Sequence, residues 1–140
     1  MTINFVFALL TIIVSMLLNS RGLGDGPSPT FKNLIFTIVF LVLWFLFGVF
    51  RGRERKMSYM IFAIIFWAVA LGTSFFAMNL GPNPLVMVNF AIMAPVNGLM
   101  FFEFMRSKLF FAAMFLPLII TCIGYLLGLK KSAKNNMIKY

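Results

Sequence analysis

Apolar residues run almost unbroken along five stretches of the chain, at about 3–18, 34–50, 57–78, 85–102 and 109–129. Runs of about 18 or more apolar residues with few charges read as membrane spans, because ~20 helical residues cross the ~30 Å hydrocarbon core. A helix at the surface of a soluble domain would alternate apolar and polar faces. These stretches are apolar all round, as suits helices whose solvent is lipid. The pattern predicts an all-α integral membrane protein: one domain over 1–129, built as a bundle of five hydrophobic helices, and a basic polar tail over 130–140.

The breaks between stretches carry their own signals. The first stretch has no basic residue before it, and Leu18-Asn19-Ser20 is a poor cleavage site, so it reads as a retained helix rather than a signal peptide. Asn19 to Asn33 is a loop rich in helix breakers, with Gly22, Gly24, Gly26, Pro27 and Pro29. An uncharged turn, Asn79 to Pro84, ends the third stretch. The fourth stretch is the least regular, because Asn89, Pro95 and Asn97-Gly98 interrupt it. Pro95 has no N–H and its ring clashes with the preceding turn. The backbone groups it frees need other partners in lipid, so this segment is expected to be kinked or re-entrant.

Side-chain spacing suggests which faces pack. Phe36, Phe40, Trp44 and Phe47 share one face of the second helix. Ala63, Ala70 and Ala77 repeat every seven residues along the third, with Trp67 and Ser74 in the same stripe. Seven-residue spacing suits a left-handed helix pair, and small residues let backbones approach closely. In the fifth, Ala113, Pro117, Thr121, Gly124 and Gly128 fall on one face, and Gly124 to Gly128 is a GxxxG. These faces predict that the third and fifth helices pair, with Ala70, Ser74 and Ala77 against Thr121, Gly124 and Gly128.

Composition agrees: 62% of residues are apolar and 11% charged, against about 25% charged in an average soluble domain. The abundance of Phe, Ile, Lys and Asn suits an AT-rich bacterial genome, and a multi-pass protein of the cell membrane is the expectation. The net charge of +9 points to topology and anionic headgroups rather than to nucleic acid, because the cations lie between and after the apolar runs. Arg51, Arg53, Arg55 and Lys56 form the strongest cluster, and the positive-inside rule places it in the cytoplasm. Five spans would put six Lys and Arg on each side; a re-entrant fourth segment would put eight inside and four outside. Charge favours the second arrangement and hydrophobic length the first.

Little in the chain suggests chemistry. It has no His and one Cys, Cys122, which removes the commonest general base, His-based metal ligation and an intramolecular disulfide. Phosphate-binding and dinucleotide motifs are lacking, and the span hydroxyls Ser15, Thr37, Thr73, Ser74 and Thr121 have no base in sequence reach. No cofactor or metal is expected. Three intramembrane polar residues remain as candidates: Asn89 and Asn97, as helix-joining or cavity-lining amides, and Glu103, as an interfacial charge beside Arg106 or an ion-binding carboxylate. The expected role is therefore a non-enzymatic accessory or subunit protein acting through helix–helix contacts with itself or a larger membrane partner. The alternative is a small oligomeric transporter or holin-like pore, suggested by the irregular fourth segment.

Overall fold

The computed structural model of the chain describes residues 2–20, 28–79, 84–108 and 110–137; the glycine-rich loop around Asp25 and the turn at 80–83 lie outside the described residues. The described residues form α1 (Thr2–Asn19), α2 (Phe31–Arg53), α3 (Met57–Asn79), α4 (Leu85–Asn97), a 3₁₀ turn (Gly98–Phe101), α5 (Glu103–Lys108) and α6 (Phe110–Met137). Four of these helices, α1, α2, α3 and α6, are long and apolar enough to cross a membrane. Five such helices were expected. The fourth stretch instead yields a 13-residue helix, about 20 Å long at 1.5 Å per residue. Pro95 lies in its last turn, and the chain tightens into the 3₁₀ turn three residues later. Residues 130–137 of the basic tail continue α6.

Local signals fix the ends of α2. Thr30 starts it in extended conformation, and the Thr30 N–H and hydroxyl both donate to Asn33 Oδ1, at 2.9 and 2.8 Å. At the other end the Lys56 N–H donates to the Arg51 carbonyl and the Arg55 N–H to the Gly52 carbonyl. This is the paired-bond helix stop usually built on glycine. Arg55 occupies its left-handed position with φ 54°, where an L side chain is strained. The Tyr59 N–H bonds the Lys56 carbonyl, so α3 starts at once and returns antiparallel to α2.

Contacts along α2 set the direction of its neighbours. Asn4 meets Arg51, Thr11 meets Trp44 and Asn19 meets Thr37, so α1 is antiparallel to α2. A Cβ on Gly124 would lie 2.4 Å from the Phe45 carbonyl oxygen, and one on Gly128 2.2 Å from that of Val49. Both numbers rise together, so α6 runs parallel to α2. The end of the bundle that carries Arg51 to Lys56 therefore also carries Lys130 and Lys131.

The glycine face of α6 packs on α2, which corrects the expected pairing with α3. The reason is a second small-residue pair, Gly48 and Gly52, that the Arg51 between them and the aromatic stripe beside them hide. A Cβ on Gly52 would fall 2.1 Å from the Tyr125 carbonyl oxygen. Glycines on both helices bring backbone against backbone. The inward stripe of α3 has no such flatness, because Tyr59 and Trp67 stand among its buried alanines Ala63, Ala70 and Ala77. It packs against α4 and α6 and reaches α2 through rings: Trp67 lies 5.1 Å from Trp44 and Tyr59 5.3 Å from Phe47.

Candidate functional site

Lipid offers no hydrogen bonds, so the polar side chains inside the bundle identify where the fold does something beyond filling space. They gather where α4 breaks. The last residues of any helix leave carbonyls without intrahelical donors, and α1 and α4 end beside each other. Asn19, the final residue of α1, donates from Nδ2 to the Ala94 carbonyl of α4 at 2.7 Å. Asn97, the final residue of α4, donates from Nδ2 to the Asn19 carbonyl at 2.8 Å. Each amide thus supplies the donor that the other helix end lacks.

The start of α2 completes the cluster. The Thr37 hydroxyl oxygen accepts from Asn19 Nδ2 at 2.8 Å and from the Gly98 N–H at 3.0 Å. Gly98 must be glycine here, since a Cβ would sit 2.1 Å from the Asn33 carbonyl oxygen. Asn33 also reaches the Leu18 carbonyl, at 3.5 Å. All four polar residues are sealed from solvent: Asn19 is 1%, Asn33 4%, Thr37 0% and Asn97 4% exposed. The cluster is electrically neutral, which suits joining helices and gives no acid or base for proton transfer. Asn19 Oδ1 is a buried acceptor without a protein donor.

The structure brings one of the three sequence candidates, Asn97, into this cluster. Asn89 is also buried, with Oδ1 unpartnered, but lies eight residues earlier on α4, about 12 Å along the axis. Glu103 is exposed at the start of α5, and the 3₁₀ turn breaks the seven-residue stripe that would have joined it to Asn89. Sequence reasoning missed Asn19 and Asn33 because both read as loop edges. Their signal was an amide bordering an apolar run: Asn19 directly follows the first and Asn33 directly precedes the second. Thr37 was visible only as a span hydroxyl without a base.

A second polar group sits at the opposite end of α2. Arg51, placed by sequence among the solvated cations, is buried. Its guanidinium bonds Glu54 Oε2 and Asn4 Oδ1, both at 2.8 Å, and lies over the Phe47 ring at 5.1 Å. It ties the start of α1 to the end of α2. Arg53, Arg55, Lys56, Lys130 and Lys131 around it are exposed. Among the described residues no three His, Cys, Asp or Glu side chains gather as a metal site would require. Two grooves lie open on the bundle, one of about 360 Å³ beside α3 and one of about 180 Å³ between α1 and α2. Phe5, Ile61, Phe66 and Ile92 line the first, and Leu10, Val14, Phe36 and Leu43 the second. Searches against protein-family models, curated proteins and solved structures return no match to this chain.

Proposed function

We propose that the protein is a small non-enzymatic accessory or subunit protein of the cell membrane, acting through helix–helix contacts in the bilayer. The observation that carries this reading is how the intramembrane amides are used. Asn19 and Asn97, two of the buried intramembrane amides, are spent on joining helix ends. The open grooves are walled mainly by aliphatic and aromatic side chains, with Thr11 and Ser15 in the smaller one, and suit lipid tails or a partner helix better than an ion or polar solute. Small-residue faces on α2 and α6 are consumed internally, so partners would meet the broad outward faces of α1 and α3.

The same reading has four crossings, with residues 85–102 entering and leaving from one side. At about 20 Å, α4 is short of the ~30 Å hydrocarbon core, and its polar end stays beside the starts of α2 and the end of α1. Non-helical backbone at such depth is tolerated where protein covers it, and the amide cluster does so. On this reading Arg51, Arg53, Arg55, Lys56 and the four tail lysines fall on one side, which the parallel run of α2 and α6 supports. Arg21, Lys32, Arg106 and Lys108 fall on the other, eight cations against four. The positive-inside rule makes the first side cytoplasmic.

Two measurements test the proposal. In a Cys122→Ala background, Lys56→Cys and Ser132→Cys should resist a membrane-impermeant thiol reagent in intact cells, while Lys32→Cys and Arg106→Cys react. Opposite labelling of Lys56→Cys and Ser132→Cys would restore the fifth crossing. For the role, mild-detergent extracts of the native membrane should hold the chain in a complex larger than the monomer. A monomer that, purified into liposomes, gives an ion- or pH-gradient-driven flux abolished by Glu103→Gln would replace the accessory role with transport.

A further inference from the structure

The glycine seam between α2 and α6 joins two basic clusters that are about 75 positions apart in the sequence. A Cβ on Gly128 would lie 2.9 Å from the Arg53 backbone nitrogen, and one on Gly52 3.0 Å from the Leu129 nitrogen. The two backbones are level there. Lys131 follows Gly128 by three residues, which places it on the same side of α6 and about 4.5 Å further along the axis. That is the level of the turn through Arg55 and Lys56. Arg53, Arg55, Lys56, Lys130 and Lys131 are all exposed, and among the described residues none of the five has an ion-pair partner. The carboxylate closest in sequence, Glu54, is bound to buried Arg51 at 2.8 Å. Arg53, Arg55, Lys56 and Lys131 thus stand at one level, with Lys130 next to Lys131 on the outer face of α6, and among the described residues the acid beside them is Glu54, already bound to Arg51.

Apolar surface lies one turn beneath them. Phe50 precedes Arg53 by three residues, and Leu126 and Leu127 precede Lys130 and Lys131 by four; all three side chains are exposed. A patch for nucleic acid or a soluble phosphate would have no use for this edge. An amphiphile would use both parts, its phosphate among the cations and its chains along the helices.

We propose that the end of the α2–α6 seam is a binding site for an anionic phospholipid, whose phosphate is held jointly by the α2–α3 turn and the continuing end of α6. The site depends on the parallel packing of the two helices. It depends neither on the accessory role nor on which side of the membrane this end faces.

The test uses the full-length chain purified in mild detergent and mixed with equal phosphatidylglycerol and phosphatidylcholine, with retained lipid counted by native mass spectrometry. Wild type should keep phosphatidylglycerol in preference. A cation near a membrane surface changes affinity by about fivefold. Removing either pair, Arg53→Gln with Arg55→Gln or Lys130→Gln with Lys131→Gln, should lower retention by at least that factor. Removing both should add little to the larger single loss, because one shared site is already broken. Lys32→Gln with Arg106→Gln, at the opposite end, should leave retention unchanged. Equal retention of the two lipids by wild type would overturn the proposal, and that measurement needs no variant to fold. So would equal losses from variants at either end, strictly independent losses from the two basic pairs, or displacement of the lipid by excess glycerol 3-phosphate.

Discussion

Helix α2 meets α6 and α3 by opposite means, backbone against backbone on one side and through rings on the other. Toward α6 it presents Gly48 and Gly52, and the backbones touch. Toward α3 it presents Phe40, Trp44 and Phe47, and rings bridge a wider gap: Trp44 to Phe66 at 5.9 Å, Phe40 to Trp67 at 6.3 Å. In water, the aromatic side would be the stronger because it removes more apolar area from solvent. In a bilayer that gain vanishes, since lipid tails are as apolar as the rings, and association rests on close packing and hydrogen bonds. The glycine side then holds the bundle and the aromatic side fills it. The filling is needed because α4, short as it is, packs against α1, α3 and α2 over only part of their length.

The largest effect should come from the glycine side. Gly52→Ala puts a methyl 2.1 Å from a backbone oxygen, where no flexible side chain can yield. Forcing the helices apart should cost about 3 kcal/mol, the upper end of overpacking in a tight interior. Unfolding in mixed micelles checks this, and Gly48→Ala, whose nearest neighbour is at 2.9 Å, should cost less. A Gly52→Ala protein as stable as wild type would mean that the backbones do not touch, and the comparison would fail.

The aromatic side should respond more weakly. Trp44→Ala removes edge-to-face contacts with Phe7 and Trp67 and the Nε1 hydrogen bond to Thr11 at 3.2 Å. Aromatic pairs are each worth about 0.5–1.5 kcal/mol beyond area burial, so a loss of about 2 kcal/mol is expected in the same assay. Trp44→Phe should recover most of it. If Trp44→Ala costs more than Gly52→Ala, the rings hold the bundle and the ranking reverses.

Much of this was legible in the sequence, and the failures have particular causes. Apolar run length located α1, α2 and α3 within three residues and the start of α6 within one, though α6 runs on to Met137, because length and hydropathy are what lipid demands of a span. The same criterion read residues 85–102 as a fifth long helix; Pro95 and Asn97-Gly98 marked the segment as irregular, but no local pattern says that the helix ends at Asn97 after 13 residues. The Gly124–Gly128 face was read as a packing surface, but its partner was not. Gly48 and Gly52 enclose an arginine, and the rule for small-residue faces assumes an apolar helix around them. Burial of Arg51 depends on Asn4, 47 positions away. No local pattern carries that, and the pairing of Asn19 with Asn97 is equally remote.

The smallest effect is expected at the one described glycine with open space where a Cβ would go. Gly72 lies on α3, and a Cβ there would meet nothing within 4 Å. Glycine inside a helix costs roughly 0.5–1 kcal/mol relative to alanine, through the extra freedom it loses on folding. Gly72→Ala should therefore stabilise the isolated chain by about that amount, in contrast to the loss at Gly52, measured by the same unfolding in mixed micelles. The comparison sharpens if the measurement is repeated in the native membrane. Gly72 and Ala68, four residues apart, form a small-residue pair on α3, and such pairs admit close approach by another helix. Gly72→Ala that stabilises the monomer yet shrinks the native complex would place a partner helix at this position. Stabilisation with an unchanged complex would leave Gly72 facing lipid, and would move any partner contact to the outward face of α1.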